Sequence, residues 1–306
     1  MASSGSAEPG LRATLIACGL LTLAAAFWSG NWVFGRLVRF DAPPGSLTFS
    51  RWFIAALVLI VMCRRDWPSF PRVLREHWRV LLALALFASV LQHYPVYRGL
   101  ASTTATTASL LNATTPVFIL LISWIVLRER LGPAVVAGVA VSLCGATWIV
   151  ARGEPASLLG LQLAIGDLWI LLGTASWAVY TVCLRWRPSD VPARVLVALV
   201  AVLSSACTLP LAIGEHLLGQ SLVLTPAVVA GILYIALGST VLGYLCWNRG
   251  VQVLGANRAG PFMYLMTVFT PLMGWAFLGE HVEGFHLVGI VLVFSGIALT
   301  HLARRG

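Results

Sequence analysis

Apolar residues run along this chain in long blocks that are separated by short polar breaks. A helix that crosses a bilayer needs about 20 mainly apolar residues, with shorter or longer runs tolerated by tilt. The pattern therefore predicts an all-α membrane protein with ten transmembrane helices. We place them at about 14 to 35, 46 to 63, 80 to 97, 104 to 127, 133 to 151, 167 to 184, 193 to 213, 226 to 247, 259 to 278 and 285 to 302.

The second half of the chain repeats the first in outline, and residues 97 to 148 recur without a gap. A shift of 151 residues pairs Tyr97-Arg98-Gly99 with Asn248-Arg249-Gly250, Trp124 with Trp275, Glu129 with Glu280, Gly138 with Gly289, and Gly145 with Gly296. A shift of 149 pairs Trp28 with Trp177. Five helices per copy is an odd number, so the two copies must insert upside down relative to each other. We predict two inverted five-helix repeats, residues 1–152 and 153–306.

Composition supports a membrane protein, because 59% of the 306 residues are hydrophobic and 10% are charged. A net charge of +9 would suggest nucleic acid in a soluble domain, but here the arginines stand between apolar runs, where they orient helices in a bilayer. With both termini cytoplasmic, the inside segments hold fifteen arginines and the outside segments five, namely Arg36, Arg39, Arg51, Arg98 and Arg152. We therefore expect cytoplasmic termini and no nucleic-acid partner. The six cysteines form no CxxC or Cys/His cluster, which favours reduced thiols and no metal site.

Short motifs stand in the same order in both halves. The second half has Gly166-Asp167, Trp177-Ala178-Val179-Tyr180, Trp247-Asn248-Arg249-Gly250 and Leu278-Gly279-Glu280; the first has Trp28, Arg98-Gly99, Asn112-Ala113-Thr114-Thr115-Pro116 and Leu127-Arg128-Glu129. Their order, spacing and duplication resemble the EamA repeat of the drug/metabolite transporter superfamily, from Leu15 to Leu302. The resemblance implies ten helices with cytoplasmic termini, a central cavity near the membrane midplane, and export or exchange of small metabolites across the bacterial inner membrane. Some members export amino acids, and bacterial aromatic amino-acid exporters are among them.

One departure from the repeat concerns proline. Pro116 of the predicted fourth helix should recur at position 267, but that residue is Thr267 and a proline follows one turn later at Pro271. Any kink in the ninth helix is therefore displaced.

Candidate substrate-binding residues begin with one face of the first helix, where Trp28, Asn31 and Trp32 fall at i, i+3 and i+4. In a cavity an asparagine can donate to a carboxylate and accept from an ammonium; the alternative is a bond to a neighbouring helix. In the sixth helix Trp177 and Tyr180 lie one turn apart on one face. Because Trp28 and Trp177 are related by the repeat, they could approach the cavity from opposite sides and hold a ligand between them. The alternative is that these aromatics belong to an interfacial belt.

The other candidates are polar or aromatic groups at similar predicted depth. We include Tyr94, Tyr97, Asn112, Thr115, Tyr244, Asn248, Met263 and Tyr264. His93 is the histidine well inside a predicted helix and hence the candidate for proton coupling, with a structural hydrogen bond as the alternative.

The favoured function is a secondary transporter of amino acids or other small metabolites, with a small-molecule substrate and the bilayer as partners and a monomer or weak dimer as the assembly. The alternatives are export of drug-like, nucleotide-sugar or purine compounds, a passive channel, and an intramembrane enzyme. The sequence has no GxxxxGK[ST] and no HExxH or GxSxG, which argues against nucleotide-driven transport and against an enzyme, so no cofactor is expected.

Overall fold

A computed structural model describes residues 10–38, 41–100, 102, 108, 111–128, 131–160, 164–188, 190–278 and 284–302. Within these ranges the chain is helical and contains no strand. The main helices are α1 (Leu11–Val38), α2 (Pro44–Met62), α3 (Phe70–Ala88), α4 (His93–Gly99), α5 (Thr115–Leu127), α6 (Pro133–Val150), α7 (Ile165–Cys183), α8 (Ala193–Leu217), α9 (Pro226–Leu254), α10 (Leu265–Leu278) and α11 (Gly284–Leu302). Short helical turns lie at Trp67–Ser69, Pro155–Gly160, Leu184–Trp186, Ala256–Ala259 and Gly260–Tyr264.

Seven helical segments of the described chain, one of which comprises both α3 and α4, are long and apolar enough to cross a bilayer. They are Leu11–Asn31, Pro44–Met62, Trp67–Gly99, Pro133–Val150, Ile165–Trp186, Ala193–Leu217 and Pro226–Leu254; Thr115–Leu127 and Gly284–Thr300 are apolar but shorter. Large apolar side chains remain exposed on these helices, for example Ile125 at 65% and Val291 at 63%. Such surfaces suit lipid rather than water.

Two of the predicted helices differ from their expected form. The predicted helix 80 to 97 begins earlier, and a turn at residues 89–92 divides it into α3 and α4. Pro116 lies at the start of α5, where its missing N–H costs no helical hydrogen bond, whereas Pro271 lies inside α10. The hydroxyls of Thr114 and Thr115 donate to the carbonyls of Leu111 and Asn112, each at 2.5 Å. The second bond gives a partner to the Asn112 carbonyl, whose helical donor four residues later would be Pro116, a residue without an N–H.

Helices α6 and α11 pack against each other through glycines. A Cβ at Gly145 would lie 2.8 Å from the carbonyl oxygen of Gly289, and a Cβ at Gly138 would meet that of Gly296 at 2.5 Å. Position number rises along one helix as it falls along the other, so the two helices run antiparallel. Small residues here let the backbones approach closely, as they do in many membrane helix pairs.

Helices α2 and α8 are joined at both ends by acidic side chains. Glu215, near the end of α8, accepts from the backbone N–H groups of Gly45 (2.7 Å) and Ser46 (2.8 Å) at the start of α2. Asp66, just beyond α2, accepts from Arg194 Nε at 2.9 Å near the start of α8. We call these contacts the Glu215 clasp and the Asp66 clasp. The shift of 149 residues that pairs Trp28 with Trp177 also pairs Asp66 with Glu215.

Candidate functional site

A cavity of about 50 Å³ lies where α1, α4, α7 and α9 meet the turn Gly260–Tyr264. Both halves of the chain line it, through Trp28, Asn31, Gln92, His93, Val96, Tyr97, Asn112, Gly173, Thr174, Trp177, Ser239, Tyr244, Met263 and Met266. One water needs about 10–15 Å³ of such space, so the cavity holds a few waters. A metabolite would require the walls to move apart.

Eight of the residues singled out from the sequence line this cavity: Trp28, Asn31, His93, Tyr97, Asn112, Trp177, Tyr244 and Met263. Five others do not line it, namely Tyr94, Thr115, Tyr180, Asn248 and Tyr264. Thr115, Tyr180, Asn248 and Tyr264 are buried and Tyr94 is half-buried. The side chain of Trp32 lies outside the described residues.

The two repeat-related tryptophans touch each other. The ring centroids of Trp28 and Trp177 are 4.9 Å apart, edge to face, and Trp28 also packs against Trp247 at 5.2 Å. Trp28 Nε1 donates to the Ser239 carbonyl at 2.9 Å, which fixes the indole against α9. A ligand therefore has no space between the tryptophans in this conformation, contrary to the expectation that they stand on opposite sides of a gap.

Asn31 satisfies both of the alternatives considered for it. It lines the cavity, and its Oδ1 accepts from Arg51 Nη1 and from the Tyr97 hydroxyl, each at 3.3 Å. Asn248 instead lies outside the cavity lining, and its Oδ1 accepts from the Tyr180 hydroxyl at 2.8 Å. Its Nδ2 has no partner.

The break between α3 and α4 places His93 on the cavity wall. Ending α3 at Ala88 leaves the Ala88 carbonyl without its helical partner. His93 Nδ1 lies 2.7 Å from that oxygen, and the Tyr244 hydroxyl donates to it at 3.2 Å. Because a carbonyl only accepts, Nδ1 carries the hydrogen, and Nε2 of the neutral ring is left as an acceptor.

Arg51 is the principal residue that the sequence reasoning misplaced. The arginine count assigns it to the outside segments, but it lies inside α2 with 0% exposure. Its Nε donates to Thr240 Oγ1 at 3.0 Å and its Nη2 to Ser239 Oγ at 3.3 Å. The signal was present, because residue 51 falls within the predicted helix 46 to 63 and an arginine inside a bilayer helix marks a functional position.

Ser239 and Thr240 belong to a π-helical stretch, Ile235–Leu242, within α9. Such stretches widen a helix and occur often at functional sites. Periodicity did not predict it. Sequence reasoning also missed Gln92, whose buried Oε1 has no partner, and the wall residues Val96, Gly173, Thr174 and Met266. Within the described ranges, no cluster of three or more His, Cys, Asp or Glu side chains could hold a metal ion.

Apolar helices around a small cavity, with polar and aromatic groups from both halves of the chain, define a multi-pass membrane protein with a cavity inside its helical bundle. The chain belongs to the EamA-like transporter family, whose sequence profile matches residues 15–151 and again 164–302. The expected resemblance to this family is thereby confirmed, and the protein is a transporter of the drug/metabolite class.

Individual relatives agree with that assignment. An uncharacterized transporter of Archaeoglobus fulgidus is 26% identical over 285 residues, which cover 92% of this chain and 96% of the relative. A probable amino-acid metabolite efflux pump of Salmonella typhimurium is 26% identical over 296 residues, covering 94% and 95%. A crystal structure of a protein with 23% identity matches the fold with a TM-score of 0.77, over 96% of this chain and 98% of the other.

Proposed function

We propose that this protein is a secondary transporter that moves small metabolites, with amino acids as the favoured class, by alternating access. The observation that carries the proposal is the cavity, because it is internal and is lined from both halves by hydrogen-bonding and aromatic groups. Similarity to a probable amino-acid metabolite efflux pump supports the substrate class. The cavity wall, as far as the structure describes it, contains no carboxylate or thiol, and the Ser239 hydroxyl accepts from Arg51, so these groups suit recognition better than catalysis.

Ten spans in two inverted repeats remain part of the proposal. The inter-helix contacts support it, because they come in pairs that exchange when the two halves are exchanged. Thus α1 packs on α9 and α10, as α7 packs on α4 and α5, while α2 packs on α8 and α6 on α11. The two matches to the family profile fall on the proposed repeats, residues 1–152 and 153–306. Antiparallel packing of α6 and α11 is what inverted copies require.

Orientation with both termini in the cytoplasm, in a bacterial inner membrane, is proposed from the arginine distribution. Moving the buried Arg51 out of the count leaves fifteen arginines in inside segments against four outside. The bias therefore becomes stronger.

Aromatic amino acids are the favoured subclass, because Trp28, Trp177 and Tyr244 lie together at the cavity. Drug-like, nucleotide-sugar or purine compounds are the alternative. We place His93 as the candidate for proton coupling, since its ring borders the cavity and its Nε2 has no bond.

Purified protein in proteoliposomes tests the proposal. We expect saturable counterflow of at least one amino acid, accelerated by the same solute on the opposite side. Loss of flux in Trp28→Ala and Trp177→Ala, with normal flux in the exposed Trp78→Ala control, is expected. Unsaturable flux would indicate a channel, and no flux of any amino acid, amine or nucleoside would contradict the transporter proposal.

A further inference from the structure

Arg51 holds a buried positive charge that no carboxylate in the described part of the chain neutralises. The side chain is 0% exposed, and all of its hydrogen-bond acceptors are neutral oxygens. They are Thr240 Oγ1 (3.0 Å), Tyr97 OH (3.1 Å), Asn31 Oδ1 (3.3 Å) and Ser239 Oγ (3.3 Å). A buried cation without a counter-charge is costly and is therefore an unusual feature of a membrane helix.

The buried carboxylates of the described chain are engaged elsewhere. Glu215 accepts from the backbone of Gly45 and Ser46 at the start of α2, and Asp167 accepts from the backbone of Ala164 at the start of α7. Both act at helix N-termini, where a carboxylate meets free N–H groups. Neither is bonded to Arg51.

The guanidinium has capacity for a further acceptor. It carries five N–H donors, and its four hydrogen bonds leave one donor on Nη2 unused. These bonds are 3.0 to 3.3 Å long, whereas an N⁺–H···O⁻ bond is about 2.7–2.9 Å long. A carboxylate that replaced one of the neutral oxygens would therefore bind more strongly than the oxygen it displaced.

Arg51 does not itself line the cavity but contacts residues that do. Three of its partners, Asn31, Tyr97 and Ser239, form part of the cavity wall. The Tyr97 hydroxyl donates to Asn31 Oδ1 while it accepts from Arg51, so the oxygens of this wall point toward the guanidinium. The Asn31 Nδ2 group is then left as a donor for a ligand.

Two further buried groups of the cavity wall have no partner. Trp177 Nε1 is a donor without an acceptor, and Gln92 Oε1 is an acceptor without a donor. An indole N–H suits a carboxylate, and an amide oxygen suits an ammonium group. The unpaired donor and the unpaired acceptor of the cavity wall thus suit the carboxylate and the ammonium group of a zwitterion.

We propose that Arg51 binds the carboxylate of the transported substrate, and that Gln92 accepts from its ammonium group. This inference rests on the proposed transport function and narrows its substrates to compounds that carry a carboxylate. Asn31, Tyr97 and Ser239 hold the guanidinium in place while the cavity is empty, and the ligand displaces one of these contacts when it enters.

A comparison of matched ligands on the wild-type protein tests the carboxylate. In proteoliposomes at pH 7, the amino acid with the greatest counterflow is compared with its own amide, which keeps the side chain and the ammonium group. We expect the amide to bind about 10- to 100-fold more weakly, the loss typical of a charge-assisted hydrogen bond. Flux of amines or neutral solutes without flux of any carboxylate would overturn this inference and leave the transporter proposal standing. Flux of no solute would overturn both.

Variants separate binding by Arg51 from a structural role. In Arg51→Gln the acid-to-amide ratio of half-saturation constants is expected to fall to about one, and Arg51→Lys is expected to keep part of the preference. Arg64→Gln, in the exposed turn after α2, removes the same charge as a control and should keep the wild-type ratio. A ratio measured within one variant does not depend on how much of it is folded. A wild-type ratio in Arg51→Gln would refute the assignment.

Discussion

Substituting alanine for Gly145 tests the close packing of α6 on α11. The new Cβ would lie 2.7 Å from Leu292 Cβ, 2.8 Å from the Gly289 carbonyl oxygen and 2.9 Å from the Val293 backbone nitrogen. Two of these atoms are backbone and the third is a Cβ, so no rotamer change relieves the contact. The helices would have to separate by several tenths of an ångström.

The expected loss of stability follows from two opposing effects. Overpacking of a tight interface costs about 1–3 kcal/mol, and alanine recovers about 1 kcal/mol because it favours helix over glycine. The net loss is therefore about 0–2 kcal/mol relative to wild type, a fall of up to about 8 °C in the Tm, and about 1–3 kcal/mol relative to a glycine-to-alanine change at an open helical position. Truncating Leu292 to alanine in the same protein should not restore the Tm, because Leu292 Cβ and both backbone contacts remain.

Thermal unfolding in a single detergent, followed by tryptophan fluorescence, measures this effect. Gly214→Ala in α8 is the matched control, because a Cβ there would meet nothing within 4 Å. We expect that control to leave the Tm unchanged or to raise it. If Gly145→Ala behaves like Gly214→Ala, the glycines of α6 and α11 are not in contact and the proposed pairing of the two halves loses its main support.

Three further predictions concern buried and surface contacts. Glu215→Ala leaves two backbone N–H groups of α2 unpaired and should lower the free energy of unfolding in detergent by about 2 kcal/mol. Glu215→Gln keeps one acceptor oxygen and should lower it by less. Equal Tm values for Glu215→Ala and wild type would contradict the Glu215 clasp. The hydrogen bond from Arg194 lowers the pKa of Asp66 in the folded protein, so the Asp66 clasp stabilises the fold fully above the ordinary pKa of an aspartate, about 3.9. This stabilisation is lost as pH falls through the lower pKa of the folded state. The Tm difference between wild type and Asp66→Asn should therefore be constant from pH 8 to pH 5, and a difference that disappears at pH 6 would refute this. Tyr180→Phe should lower the free energy of unfolding by about 1–3 kcal/mol, because it leaves the Asn248 side chain without a hydrogen-bond partner. The double variant Tyr180→Phe/Asn248→Leu should lose less than the sum of the two single variants. Additive losses would show that the pair is not coupled.

Periodicity predicted part of the site because it is a local property. The spacing of Trp28 and Asn31 places both on one face of a helix, and both line the cavity. The predicted helix 80 to 97 passes over the break at residues 89–92, although Pro95 signals it: proline has no N–H to donate to the Leu91 carbonyl four residues earlier. What the sequence could not show is how the freed Ala88 carbonyl is satisfied: His93 and Tyr244 bond to it, and the second bond crosses 156 residues.

The contacts between the two halves could be identified only from the three-dimensional structure, although the repeat spacing related some of the residues involved. The shift of 149 residues pairs Asp66 with Glu215 and also Gly45 with Arg194. Those four positions form the two clasps of α2 and α8. Only the tertiary structure shows that Arg51, which lies between the clasps in sequence, faces the interior with neutral partners.

The two clasps differ in strength although their acidic residues are related by the repeat. Glu215 is 8% exposed and accepts from two backbone N–H groups that have no helical acceptor, so breaking its bonds leaves buried donors unsatisfied. Asp66 and Arg194 are both at the surface, where water replaces an ion pair at little cost. The end of the α2–α8 pair that carries Asp66 therefore separates more easily than the end that carries Glu215. Arg51 lies on α2 between these two ends, so a tilt of α2 about its Glu215 end would displace the guanidinium from its partners on α9.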